Sequence, residues 1–208
     1  MTITKKARLL PPPFIGTRIK IRLDDPESLT WGMSTVTPAE GHEKAVIDWG
    51  DGTRTEVTRK GSQTHTYAEV GEYEVRISDD ISSLVCSAKT NTSPYRSVYA
   101  PMIRETHTTA TLFDRLGTVC FSNAANMRVF TSEGVAVSSI GINAFQDCTS
   151  LAGRLNFPCA EEIASSAFNG ATGITELHFS AAHEDTIKTL PGYDTGFGAE
   201  NATVYFDL

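Results

Sequence analysis

The chain has 208 residues, and its 18 lysines and arginines against 25 aspartates and glutamates give a formal net charge of −7. This balance disfavours a nucleic-acid partner, which would require clustered basic side chains. No apolar run approaches the length of a membrane span, so no membrane insertion is expected, and the chain is long enough for one large domain or two small ones.

Residues 1–13 are predicted to form a flexible lead-in. The segment begins with basic residues but has no apolar core of useful length, so it does not predict a signal peptide. Its closing prolines, Pro11–Pro13, favour a stiff and extended conformation. We expect a chain that begins in this way to stay in the cytoplasm, to leave by a route without a signal, or to be a shortened form of a longer precursor.

Short alternating segments dominate the first half of the chain. In GTRIKIRL, residues 16–23, apolar and basic residues alternate, which predicts a strand with one buried and one wet face. EYEVRIS, residues 72–78, alternates in the same way, and GDGT, residues 50–53, predicts a turn. Strands separated by tight turns, with no helical period between them, predict an antiparallel β-sandwich.

The stretch VIDWGDGT, followed by HTYAEVGEYEVRI, resembles the signature of polycystic-kidney-disease-type (PKD) domains, which are immunoglobulin-like (Ig-like) β-sandwiches. The match covers nine positions: Trp49, Gly50, Asp51, Gly52, His65, Tyr67, Gly71, Tyr73 and Val75. The resemblance extends over about residues 14–86 and implies a domain over residues 14–88. It also implies structural roles, with the tryptophan in the core and the Asp-Gly pair in a turn.

Asp48, Asp51 and His65 also allow a functional interpretation. Two carboxylates and an imidazole can hold a metal ion or perform acid–base chemistry, and the two aspartates flank a turn. Calcium, however, takes at least about six oxygen ligands, and few others lie nearby in the sequence. We therefore predict no metal and no cofactor, and keep Asp48 and Asp51 as the candidate metal ligands.

The four cysteines do not form a metal-binding or redox motif. No CxxC pair is present, and the chain is not a small cysteine-rich scaffold, so free and mostly buried thiols are expected. Their positions are Cys86, Cys120, Cys148 and Cys159.

A degenerate repeat occupies the second half of the chain. Phe121, Phe145 and Phe168 recur at spacings of 24 and 23 residues, and each is followed by a small residue and then by an apolar one. A period of this length predicts a solenoid in which neighbouring repeats stack and bury columns of equivalent side chains.

These repeats resemble the BspA-like class of leucine-rich repeats, whose core reads I-x(4)-AF-x-x-C-x-x-L. IGINAFQDCTSL (Ile140–Leu151) and IASSAFNGATGI (Ile163–Ile174) match it best. The resemblance covers about residues 95–208, and the closing NATVYFDL is expected to form a capping strand. The predicted fold is therefore mainly β, an Ig-like antiparallel β-sandwich followed by a short leucine-rich-repeat solenoid, with the polar stretch Thr90–Ser97 as the seam.

Neither half contains a recognisable catalytic motif. The sequence has no phosphate-binding glycine loop and no Ser–His–Asp arrangement with family context, so we predict no catalytic residues and no enzyme. The resemblances instead imply a non-catalytic adhesion or protein/glycan interaction module of a bacterial surface or secreted protein, extracellular or at the cell surface. The alternative is a phage or prophage virion protein, such as a tail or fibre accessory; minor alternatives are a hydrolase accessory domain and a self-assembling structural protein.

The expected partner is a protein or glycan on a cell surface, and the oligomeric state is left open. Solenoids offer the exposed face of their stacked strands to partners. Strand position therefore predicts four partner-binding side chains, Arg128, Arg154, Glu176 and His178. A shift of one residue in register would turn them to the other face.

Overall fold

A computed structural model describes residues 14–86, 99–132 and 137–208, and within them the fold is mainly β, as predicted. The helical pieces there are short: an α-helix, α1 (Glu184–Ile187), and 3₁₀ turns at Ala100–Met102, Ala181–His183 and Tyr193–Gly198. The predicted lead-in, residues 1–13, and the predicted seam, Thr90–Ser97, lie outside the described residues.

The first part of the chain consists of antiparallel strands. They are β1 (Gly16–Leu23), β2 (Thr30–Pro38), β3 (Ala45–Asp48), β4 (Arg54–Val57), β5 (Gly61–Thr66), β6 (Gly71–Ser78) and β7 (Ile81–Val85). The alternation predicted for β1 is confirmed, because Ile19, Ile21 and Leu23 are buried while Lys20 and Arg22 are exposed.

These seven strands divide between two sheets, in the orders β1-β6-β3-β4 and β7-β2-β5. In the constant-type immunoglobulin order the first strand pairs with the second, and the last pairs with the sixth. Here β1 pairs with β6, and β7 pairs with β2. The first and last strands have therefore exchanged sheets relative to that order.

The two sheets meet through aromatic side chains. The ring centroids of Trp31 on β2 and Trp49 after β3 lie 6.3 Å apart in an edge-to-face contact, and both side chains are buried. The Trp49 Nε1 group donates a hydrogen bond to Thr55, and the Tyr67 hydroxyl donates one to the Trp49 carbonyl. The tryptophan of the WGDG motif therefore lies in the core, as predicted, with its polar groups satisfied.

The second part of the chain winds through short strands. They are β8 (Ile103–Thr108), β9 (Arg115–Leu116), β10 (Val129–Ser132), β11 (Ser139–Ile140), β12 (Gly153–Phe157), β13 (Glu162–Ile163), β14 (Ile174–Phe179) and β15 (Thr203–Phe206). β8 pairs with β1 in antiparallel orientation, and the other pairings in this part are parallel.

The phenylalanine columns stack between these strands. The rings of Phe145 and Phe168 lie 5.2 Å apart and nearly parallel, and those of Phe121 and Phe145 lie 5.5 Å apart. All three are fully buried, and a backbone hydrogen bond from Phe145 to Ala167 links neighbouring turns. The predicted in-register stacking of Phe145 and Phe168 is confirmed.

Both parts of the chain contribute to the same two six-stranded sheets. β10-β8 extends one sheet beyond β1, and β13-β11-β9 extends the other beyond β7, while β12-β14-β15 forms a separate three-stranded sheet. Buried apolar side chains from both parts belong to one cluster. The division into residues 14–88 and 95–208 stays a prediction, because its boundary falls outside the described residues.

Candidate interaction surface

The outer face of the three-stranded sheet carries three of the four predicted partner-binding residues, Arg154, Glu176 and His178. Leu155 and Leu177 alternate with these residues and are buried beneath them. The parallel register places the outward side chains in two rows across the strands, Arg154, Glu176 and Thr203 in one and Asn156, His178 and Tyr205 in the other. We call these six side chains the strand face.

His178 is not exposed, contrary to the prediction. Only 3% of it is accessible, because the Tyr205 ring stacks on it at 4.6 Å. Its Nδ1 lies 2.5 Å from an Asp207 oxygen and its Nε2 lies 3.0 Å from a Glu176 oxygen. His178 is therefore covered within the strand face, where it contacts both carboxylates.

Arg154, Glu176 and Tyr205 remain accessible on the strand face. The Arg154 and Glu176 side chains are 46% and 42% exposed, and Tyr205 is 40% exposed. The Arg154 Nε group donates a 2.7 Å hydrogen bond to the Asn156 side chain, which fixes the guanidinium. The hydrogen bond with His178 lowers the pKa of Asp207, so this carboxylate stays ionised beside the face.

A cleft of about 320 Å³ opens beside the strand face, between β10 and β12. These two strands belong to different sheets, and the Ser132 hydroxyl bridges them by donating to the Asn156 carbonyl. The cleft lining combines polar and apolar residues: Phe130, Thr131, Ser132, Arg154, Asn156, Pro158 and Leu208. A concave site with a few convergent polar groups is the usual form of a ligand site.

Arg128 is exposed, as predicted, but it is not part of the strand face. It precedes β10 and lines a different cleft, formed with charged side chains of β1, β6 and β8. The structure therefore brings Arg154, Glu176 and His178 together and places Arg128 at a separate site.

The candidate metal ligands Asp48 and Asp51 bind protein groups instead. Asp48 accepts hydrogen bonds from the Gly50 amide and the Arg54 guanidinium. Asp51 accepts hydrogen bonds from the amide and hydroxyl of Thr53, and its other oxygen lies 2.7 Å from His65 Nε2. Both carboxylates are therefore engaged by groups of the turn and of β4 and β5.

His65 and Asp51 form part of the core boundary. The His65 ring stacks on Trp49 at 5.1 Å and meets the Tyr67 ring edge-on. Burial alone would raise the pKa of Asp51, but hydrogen bonds from Thr53 and His65 outweigh it and lower the pKa to about 2. The carboxylate is therefore ionised and held in place at neutral pH.

Three of the four cysteines are buried among apolar side chains, and all four are free thiols, as expected. Burial raises the pKa of Cys86, Cys120 and Cys148, to about 12 for Cys120. The Cys120 and Cys148 thiols also donate to the carbonyls of Leu84 and Phe121. Protonated thiols of this kind fill core space and are poor nucleophiles.

Sequence reasoning did not identify Asn156, Tyr205 or Asp207 as parts of the surface. Tyr205 and Asp207 lie in NATVYFDL, which was predicted only as a capping strand. The period of two in this segment could have placed Tyr205 on the same face as His178, but only if the pairing of β14 with β15 had been known.

No protein-family model, curated protein or solved structure matches the chain. Within residues 14–86, 99–132 and 137–208, no helix has the length and apolar character to cross a membrane, and no three His, Cys, Asp or Glu side chains are grouped so that they could hold a metal ion.

Proposed function

We propose that the chain is a non-catalytic binding module that acts outside the cell and contacts a protein or glycan through the strand face. The observation that carries this proposal is the in-register array on β12, β14 and β15. There, exposed charged, amide and aromatic side chains lie together beside a cleft. Trp, Tyr and Arg are the side chains most enriched in binding hot spots, and Tyr205 and Arg154 supply two of the three types.

The buried histidine gives this array a fixed geometry. His178 holds the carboxylates of Glu176 and Asp207 and stacks on the Tyr205 ring. Side chains fixed before binding lose less conformational entropy when a partner docks. A preorganised surface of this kind favours recognition over non-specific adhesion.

We further propose that strands β1–β7 form a PKD-type, Ig-like sandwich and that strands β8–β15 form a BspA-like repeat stack. The buried Trp49, its contacts with His65 and Tyr67, and the turn at Gly50 support the first assignment. The stacked phenylalanines support the second. The exchange of β1 and β7 between sheets departs from the constant-type immunoglobulin order.

Binding rather than catalysis is proposed because the side chains that resemble catalytic groups have structural partners. Asp51 and His65 bind each other and Thr53 at the edge of the core. The buried thiols are held in their protonated form. None of these groups is presented on the strand face or in the cleft beside it.

A glycan and protein array probed with the full chain tests the proposal. We expect a defined set of binders, and we expect the double substitution Arg154→Ala/Glu176→Ala to weaken their binding at least about tenfold, since truncated hot-spot residues typically cost more than that. The matched control is Arg59→Ala/Glu40→Ala, which removes the same two charges from exposed positions away from the strand face. Equal binding by both double variants, or an array without binders, would contradict the proposal.

A further inference from the structure

A second cleft, of about 340 Å³, lies on the outer face of the six-stranded sheet that contains β1. It spans strands β6, β1 and β8, and Arg128 closes it at the entry to β10. The charged residues that line it are Lys20, Arg22, Glu72, Glu74, Arg104, Glu105 and Arg128. They stand in neighbouring register positions, with Lys20 opposite both Glu74 and Glu105, and Arg22 opposite Glu72.

Most charges in this cleft already have a partner. The Lys20 ammonium lies 2.5 Å from Glu105. Arg22 and Arg104 share the carboxylate of Asp24, at 2.5 and 3.3 Å, and Arg22 also lies 3.6 Å from Glu72. Glu74 pairs with Arg76, which lies outside the cleft lining.

Arg128 is the exception. Its guanidinium has no carboxylate within 4.0 Å among the described residues, and the residue is exposed. Its backbone amide donates a 2.8 Å hydrogen bond to the Arg104 carbonyl, so the two arginines emerge from adjacent backbone positions. The Arg104 guanidinium is fixed by the Pro101 carbonyl and by Asp24. One anchored and one free guanidinium therefore share a small cleft.

We infer that this cleft binds a carboxylate-bearing sugar, with its carboxylate on Arg128 and its hydroxyls on the neighbouring glutamates. Guanidinium groups bind carboxylates through paired, charge-assisted hydrogen bonds. Glu72 and Glu74 each have an arginine partner, Arg22 at 3.6 Å and Arg76 at 2.8 Å. An ionised carboxylate has about four acceptor sites, so sugar hydroxyls can donate to those that remain. The cleft volume suits a small ligand.

Both basic and acidic side chains line the cleft, and this combination determines which class of ligand fits it. An acidic peptide would bring further carboxylates close to Glu72 and Glu74, and like charges at short range oppose binding. A neutral sugar could donate hydrogen bonds to the glutamates but would leave Arg128 without an anion. A sugar acid matches both kinds of group. The inference rests on the proposed function, because it names a ligand for a binding module, but it uses a different surface.

The test is a titration of the full chain, followed by NMR, with methyl glucuronide and with methyl glucoside, which differ only in the carboxylate. We expect the glucuronide to bind about ten- to a hundredfold more tightly, since a charged hydrogen bond contributes that much to affinity. Arg128→Gln should remove this preference. Arg59→Gln, at an exposed arginine outside the cleft, should leave it unchanged.

Three results would overturn the inference. The first is equal binding of the two glycosides, or no binding of either. The second is a glucuronide preference that survives Arg128→Gln. The third is a triglutamate peptide that binds as tightly as the glucuronide and is equally sensitive to Arg128→Gln, which would make the cleft a peptide site.

The variant Tyr205→Ala separates this inference from the proposed function. It truncates the strand face and leaves the cleft lining intact. If Tyr205→Ala abolishes glucuronide binding and Arg128→Gln does not, the sugar acid binds at the strand face. In that case the inference falls and the proposed function stands.

Discussion

Gly50 and Gly52 both have left-handed backbone conformations in the turn after Trp49, with φ of 84° and 92°. A β-carbon on Gly50 would lie 2.6 Å from the Glu74 carbonyl oxygen, whereas one on Gly52 would meet no atom within 4 Å. Both alanine variants pay the cost of positive φ, about 1–2 kcal/mol. Steric overlap should add about 1–3 kcal/mol for Gly50→Ala alone.

Denaturant unfolding of the two glycine variants measures this difference in unfolding free energy. Equal destabilisation by Gly50→Ala and Gly52→Ala would show that the approach of Glu74 does not constrain the turn, and that backbone conformation is the whole effect.

The Asp51 carboxylate gives the fold a defined acid sensitivity. Its folded pKa of about 2 lies below the ordinary value of 3.8, so its contribution to stability is complete above pH 4 and is lost as the pH falls toward 2. The loss should be on the order of 1 kcal/mol, because the turn is partly exposed to solvent. Asp51→Asn should lower stability at pH 7 and flatten the pH dependence between 4 and 2.

Urea unfolding at a series of pH values checks this prediction. Asp194→Asn, at an exposed aspartate in the 3₁₀ turn Tyr193–Gly198, is the matched control. If the unfolding free energy of Asp51→Asn fell between pH 4 and 2 as steeply as that of the wild type, other carboxylates would be responsible for the acid sensitivity.

At the scale of the structural element, the phenylalanine columns stabilise the packing of strands β8–β15. The Phe145 ring contacts four other phenylalanine rings and is fully buried. Phe145→Ala should therefore cost about 3–5 kcal/mol of unfolding free energy. Phe206→Ala, at a half-buried phenylalanine on the last strand, should cost about 1–2 kcal/mol, because less apolar surface is lost. Comparable losses measured by denaturant unfolding would contradict the central role of the columns.

Local pattern predicted the elements better than it predicted their partners. The alternation in β1 and the repeated phenylalanines identified buried faces, since burial follows directly from the period of the chain. The exchange of β1 and β7 between sheets depends on long-range pairing that no local pattern encodes. For the same reason the sequence placed His178 in solvent, because the Tyr205 ring that covers it comes from a strand whose register was unknown.

At the scale of the whole molecule, the shared sheets predict cooperative unfolding. Both tryptophans, Trp31 and Trp49, lie among strands β1–β7, so tryptophan fluorescence reports mainly on that part, although the Trp31 Nε1 group also donates a hydrogen bond to the Tyr99 carbonyl before β8. Phe145→Leu changes a side chain that lies among strands β8–β15, far along the chain from both tryptophans. Because β8 and β9 continue the sheets through β1 and β7, the substitution should lower the fluorescence midpoint as much as the midpoint seen by far-UV circular dichroism.

A fluorescence midpoint that stays at the wild-type value in Phe145→Leu, while the circular dichroism midpoint falls, would contradict this prediction. It would mean that residues 14–88 and 95–208 unfold separately despite their shared sheets.

The central claim is that the outer face of β12, β14 and β15 is where this molecule meets its partner. Hydrogen–deuterium exchange of the full chain, with and without a binder from the array, tests it most directly. We predict slower amide exchange on binding along Gly153–Phe157, Ile174–Phe179 and Thr203–Phe206. Slower exchange confined to other strands, with these three unchanged, would contradict the claim.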